Sequence, residues 1–141
     1  MKTIEVRDID ELGVAAKVLV HFFDSVRLVI LHGRMGAGKT TLVKSMLSEL
    51  SAIDQGNSPT FSLINVYQGK TGEKIYHLDL YRLTNLEESL DIGVEDVIYD
   101  NCWRFIEWPE HIISLLPRPY GEVNIELEED HLRRIHYSIT E

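Results

Sequence analysis

An apolar run at residues 28–31 leads directly into Gly33, Arg34, Met35, Gly36, Ala37, Gly38, Lys39 and Thr40, and this junction restricts the fold more than any other feature of the chain. The glycines and the lysine-threonine pair match the phosphate-binding P-loop pattern, which requires a strand to end and a helix to begin around it. In that setting successive backbone N–H groups, a helix N-terminus and one ammonium group converge on a space suited to a polyphosphate. A nucleoside triphosphate is the expected ligand. The alternative, a glycine turn that caps a helix and binds nothing, does not call for lysine and threonine at these two places.

The remaining sequence limits what can surround that loop. With 141 residues, 44% of them hydrophobic and 26% charged, residues 1–141 are expected to form one domain with a substantial core. The 23 acidic and 14 basic side chains give a formal net charge of −9, which disfavours autonomous binding to RNA or DNA. Residues 1–8 lack the apolar core of a signal peptide, and Lys17 and His21 interrupt the most apolar helical stretch, so no membrane association and a cytoplasmic location are expected. Cys102 is alone and lies near Trp103 and Phe105, which fits a buried structural thiol and excludes an internal disulfide.

Hydrophobic periodicity predicts an α/β fold, a P-loop NTPase domain whose mixed β-sheet is flanked by helices and ends in a C-terminal β-hairpin. A short strand at residues 3–6 precedes a helix running to about residue 23, whose start is marked by Asp8 and Glu11 in a capping-box arrangement, with Gly13 weakening it. Residues 27–32 form the P-loop strand. Leu42, Val43, Met46, Leu47 and Leu50 then mark a sheet-packing helix over residues 39–50. Strands at residues 61–67 and 74–80 are joined by a turn-forming cluster at 68–72, and a helical stretch at 86–99 is split by Gly93. Residues 102–106 read as a strand ending at Glu107, followed by a helix at 110–115 that Pro109 helps to start. Alternation at 122–127 and 133–139 around an acidic turn gives the terminal hairpin.

Chemistry is expected where these strands end. Gly33, Gly36, Ala37 and Gly38 bring the backbone close to phosphate, Lys39 offers its charge to the β- and γ-phosphates, Thr40 places a hydroxyl on Mg²⁺, and Thr41 faces the α-phosphate. A magnesium triphosphate site also needs carboxylates at neighbouring strand ends. Asp79 and Glu107 each follow an apolar strand and fit that need: Glu107 chiefly for Mg²⁺ and water positioning, Asp79 for a water-mediated Mg²⁺ contact or γ-phosphate sensing. Lys39, Asp79 and Glu107 are therefore the catalytic candidates. The loop Asn57, Ser58, Pro59, Thr60, Phe61 reads either as a nucleotide sensor, with Thr60 meeting phosphate, or as a proline turn entering a strand. Trp108 reads as a core anchor or as a lid or partner contact, and His77 as an interior histidine. Because Arg133 and Arg134 are adjacent on a strand they point to opposite faces, and Arg133 is the one assigned to nucleotide.

Taken together, Gly36, Ala37, Gly38, Lys39, Thr40, Thr41; Ser58, Pro59, Thr60, Phe61; His77, Leu78, Asp79, Leu80, Tyr81, Arg82; and Glu107 with Trp108 resemble, in this order, the TsaE (YjeE) family. That family is the bacterial ATPase component of tRNA threonylcarbamoyladenosine biosynthesis. The resemblance spans nearly the whole chain. It implies that Lys39, Thr40 and Thr41 bind ATP, that Asp79 and Glu107 serve Mg²⁺ and hydrolysis, and that residues 58–61 form a switch-like loop. It further implies a role in modifying tRNA adenosine 37 together with TsaB- and TsaD-type proteins, which would contact tRNA on this chain's behalf, while a TsaC-type enzyme makes threonylcarbamoyl-adenylate. A nucleotide-dependent interaction module with incidental hydrolysis and a small-molecule kinase are the competing readings. Short length disfavours the kinase, and the absence of an Asn-Lys-x-Asp run disfavours guanine recognition.

Overall fold

Strand β2 (Leu28–His32) lies in the middle of one mixed sheet, hydrogen-bonded in parallel to β6 (Trp103–Glu107) on one side and β7 (Tyr120–Leu127) on the other. The computed structural model describes residues 1–54 and 63–141. Among these residues the sheet has eight strands in the order β1-β8-β7-β2-β6-β5-β4-β3, with β1 at Lys2–Val6, β3 at Ile53–Asp54, β4 at Ile64–Gln68, β5 at Lys74–Asp79 and β8 at Arg133–Thr140. The pairings β5–β6, β6–β2 and β2–β7 are parallel, whereas the outer pairs are antiparallel. The carboxyl ends of β2, β5 and β6 therefore share one edge, the place where α/β sheets present side chains to ligands.

The alternation along β2 explains why both faces are covered. Val29 and Leu31 point into one core and Leu28 and Ile30 into another, and all four are essentially inaccessible to water. The first core is closed by α1 (Ile9–Phe23) and α2 (Lys39–Glu49), which contribute Leu12, Ala15, Ala16, Leu19 and Phe23, and Leu42, Val43, Met46 and Leu47 at helical spacing. The second is closed by Leu80 and Leu83 after β5, by α4 (Val94–Ile98) and by the segment that carries Ile112 and Leu116, while the short α3 (Leu86–Asp91) leads into α4.

Asp8 caps α1, accepting the Glu11 N–H at 2.8 Å, while Glu11 Oε1 reaches back to the Arg7 N–H at 2.7 Å. This is the expected capping exchange displaced by one residue at its return arm. Gly13 sits on the exposed side of α1 and does not interrupt it. Gly93 separates α3 from α4 through a left-handed conformation at φ 85°.

Several elements depart from the sequence reading. The expected helix at 110–115 is only a 3₁₀ turn at Ile113–Leu115. Pro109 and Pro117 bracket a segment too short to propagate helical hydrogen bonds, and burial of Ile112 and Leu116 decides its path instead. Strand β7 starts at Tyr120, two residues earlier than expected, and β3 was not anticipated because two residues carry no periodic signal. Strand β4 begins at Ile64; residues 61 and 62 of the expected strand, and the whole Ser58, Pro59, Thr60, Phe61 loop, lie outside the described residues.

Cys102 is buried, and that burial pushes its thiol up to about 11. Iodoacetamide at mildly alkaline pH is expected to label it only after the protein is unfolded in urea, because the thiolate is the reactive form; rapid native-state labelling would contradict the packing. Gly121 supplies a sharper check. A Cβ at that position would lie 2.5 Å from the ring of the fully buried Phe23, so α1 approaches β7 more closely than any side chain permits. Gly121→Ala should cost about 1–3 kcal/mol in urea unfolding through overpacking, and an unchanged midpoint would contradict the contact.

Candidate functional site

The P-loop leaves the end of β2 and enters α2 at Lys39, with Gly36 at φ 82° and Gly38 at φ 106°. These left-handed conformations strain any side chain, and Gly38 has a second constraint, since a Cβ there would sit 3.0 Å from Arg133 Nε. Arg133, the first residue of β8, crosses to the loop and donates from Nε to the Ala37 carbonyl at 2.9 Å. Arg134 diverges from it and lies 3.7 Å from both Glu5 and Glu128.

Strand parity sets the carboxylates. His77 and Asp79 on β5, and Phe105 and Glu107 on β6, share the face covered by α2, and Asp79 is in register with Glu107. Glu107 is 1% exposed. The Thr40 hydroxyl, at 2.8 Å from Oε1 and 2.9 Å from Oε2, donates to its carboxylate, and His77 Nε2 is 2.5 Å from Oε2. Since an ionised carboxylate only accepts, the imidazole proton belongs on Nε2. Asp79 is turned differently: its Oδ1 accepts the Tyr81 N–H at 3.2 Å, capping the turn that follows β5.

Lys39 is 4% exposed, and its Nζ donates to the Gly33 carbonyl while lying 3.3 Å from the centroid of the Trp108 ring. Burial holds its pKa below the ordinary lysine value, against the raising influence of Glu107, Glu110 and Asp79. Trp108 occupies the left-handed region at φ 56°, and Tyr81 packs beside it with ring centroids 5.0 Å apart and the rings tilted by 54°. An indole over a desolvated ammonium is worth about 2 kcal/mol, comparable to the 1–3 kcal/mol that such a backbone conformation costs. The sequence favours a core anchor for Trp108 slightly over a lid or partner contact, and the residue is half-buried, packing against the second core as well as over Lys39.

These residues surround a cleft of about 320 Å³ that brings together Gly36, Gly38, Lys39, Thr40, Thr41, Asp79, Glu107 and Arg133. Ala37 is buried beneath the loop, and Gly33 closes its base through the Lys39 bond. Thr60 lies outside the described residues. Thr40, Asp79 and Glu107 offer oxygen donors of the kind magnesium takes together with waters, while among the described residues no three His, Cys, Asp or Glu side chains group closely enough to hold a metal ion by themselves.

The family model for "Threonylcarbamoyl adenosine biosynthesis protein TsaE" matches residues 6–135. The chain belongs to the TsaE family. Among relatives named tRNA threonylcarbamoyladenosine biosynthesis protein TsaE, that of Treponema pallidum is 37% identical over 108 residues, covering 77% of this chain and 78% of its own. The Rickettsia bellii protein is 41% identical over 111 residues, covering 75% and 73%. The Haemophilus influenzae protein is 39% identical over 103 residues, which is 73% of this chain but 65% of that relative, just under two thirds of its length. The crystal structure of Bacillus subtilis YdiB superposes with a TM-score of 0.71 at 24% identity, covering 99% of this chain and 87% of that one, which shows a common fold.

The Thr40–Glu107 contact is testable without any ligand. Thr40→Val keeps the shape and removes the donor, so the nucleotide-free protein should lose about 1–2 kcal/mol in chemical denaturation. Unchanged stability would mean that the hydroxyl does not support the buried carboxylate.

Proposed function

We propose that this TsaE-family chain is a Mg²⁺-dependent ATPase of tRNA threonylcarbamoyladenosine biosynthesis, acting with TsaB- and TsaD-type proteins and meeting tRNA only through them. The observation that carries the reading is the buried Glu107 carboxylate bonded to the Thr40 hydroxyl at the mouth of the P-loop, beside Lys39. A P-loop that merely capped a helix has no need of that carboxylate.

In this reading Gly36, Gly38 and the amino end of α2 present N–H groups to the phosphates, and Lys39 neutralises the β- and γ-phosphate charge. The lysine is already desolvated, so replacing the Gly33 carbonyl and the indole face by phosphate oxygens adds little desolvation cost. Thr41 and Arg133 reach the phosphates from the two flanks of the loop. Thr40 and Glu107, with Asp79 beside them, would hold Mg²⁺, which supplies charge neutralisation on the phosphate oxygens. Glu107 also orients the attacking water, and Asp79 senses the γ-phosphate. Thr60 is proposed as a further phosphate contact on the strength of the sequence pattern.

The chain's net charge of −9 supports the division of labour with partners, since an RNA surface calls for clustered cations. No helix among the described residues is long and apolar enough to cross a membrane, which is compatible with the proposed cytoplasmic location.

ATP hydrolysis should be measured with and without TsaB- and TsaD-type proteins plus tRNA. Lys39→Ala is expected to abolish nucleotide binding. Glu107→Gln is expected to keep ATP binding while lowering turnover by about 100-fold or more, as loss of a water-orienting group does. Normal hydrolysis in both variants would remove the ATPase assignment. Normal cycling of tRNA modification with a hydrolysis-dead Glu107→Gln would instead favour a nucleotide-dependent interaction module, and strong GTP preference in competition would overturn the choice of ATP.

A further inference from the structure

Glu107 is held from two sides by groups of different origin. Thr40 reaches it from α2, and His77 reaches it from the neighbouring strand β5, two positions along from the residue with which His77 is in register. Phe105, on the same face of β6, is fully buried and offers no polar atom, and Ile75 occupies the position before His77 on that face of β5. Among the described residues, Thr40 and His77 supply the side-chain hydrogen bonds to this carboxylate.

The two holds differ in consequence. Thr40 belongs to the expected metal contacts, so its bond to Glu107 must change when the hydroxyl is shared with an ion. His77 is 5% exposed and engages Oε2, whereas the Thr40 hydroxyl lies almost equally close to both oxygens, at 2.8 Å from Oε1 and 2.9 Å from Oε2. A ring N–H fixed on Oε2 sets the plane of the carboxylate and leaves Oε1 as the oxygen that no histidine occupies. We infer that His77 is a positioning residue that selects which Glu107 oxygen faces the magnesium site, acting through Glu107 without touching nucleotide. This rests on the Mg²⁺-nucleotide reading above. A histidine that merely satisfies a buried acid would affect folding stability and leave metal dependence alone.

The test compares ADP affinity by calorimetry with and without Mg²⁺, taking the ratio as the magnesium gain. His77→Phe keeps a ring and loses the donor; its gain should fall about 10-fold or more, as when a group orienting a metal ligand is removed, while metal-free ADP affinity stays near wild type. His77→Gln places an amide N–H near the Nε2 position and should recover the gain to within about threefold. If His77→Phe does not fold, His77→Asn, which is polar but too short to reach Oε2, takes its place with the same expected loss. A donor-less variant that keeps the wild-type gain, or a His77→Gln variant that loses as much as His77→Asn, overturns the assignment. A wild-type protein with no magnesium gain is a different result, because it sinks the metal reading itself. A third readout needs no ligand: the His77 Nε2–H proton should give a slowly exchanging NMR signal in the free protein and lose it in Glu107→Ala, and its absence from wild type would also overturn the assignment.

Discussion

The parallel pairing of β2 with both β6 and β7 is the constraint on which the rest depends. A strand in that position has no free edge and no wet face, so Leu28 to Leu31 are apolar, and its carboxyl end at His32 is the first place where the backbone can leave the sheet. The P-loop occupies that exit. Parallel pairing extends to β5, which brings Asp79 level with Glu107 and both to the side where α2 begins. Were β5 antiparallel to β6, the same sequence would carry Asp79 to the far edge of the sheet. Strand direction, more than proximity in sequence, assembles the site.

Much of this was legible beforehand. The apolar run before Gly33 located β2, the spacing of Leu42, Val43, Met46 and Leu47 oriented α2, and the polar residues closing two other apolar runs pointed to Asp79 and Glu107. These signals are local, and local periodicity survives in a single sequence. The contacts that were not legible are long-range and depend on side-chain direction. The bond from His77 to Glu107 spans 30 positions and exists only because β5 and β6 are neighbours. The seating of Trp108 over Lys39 depends on one backbone angle after Glu107. The failed helix at 110–115 has a different origin: Pro109 is a fair start signal, but tertiary burial of Ile112 and Leu116 overrode it.

The charges within the cleft follow from the same geometry. One buried ammonium faces the combined influence of Glu107, Glu110 and Asp79, in a protein whose surface is already acidic. If Mg²⁺-nucleotide is the ligand, as proposed above, such a site would repel a bare polyphosphate more than a metal-complexed one, because the ion offsets charge on both partners. In that proposed role the loop is part of an electrostatic unit, in which glycines would set the approach of the backbone while carboxylates would set the charge that the incoming species must carry.

The outermost pairing has a consequence in time. Ile4 of β1 is in register with Ile135 of β8, and β8 is also the strand whose first residue, Arg133, buttresses the Ala37 carbonyl. Pairs so distant in sequence must overcome the entropy of closing a long loop before any contact rewards them, which places them late in folding. Strand β2 and helix α2 are adjacent in sequence and can meet early. The brace that Arg133 gives the loop comes instead from far downstream in the chain, on a strand whose start is paired both with Leu127 in the local β7–β8 hairpin and with Val6 of β1.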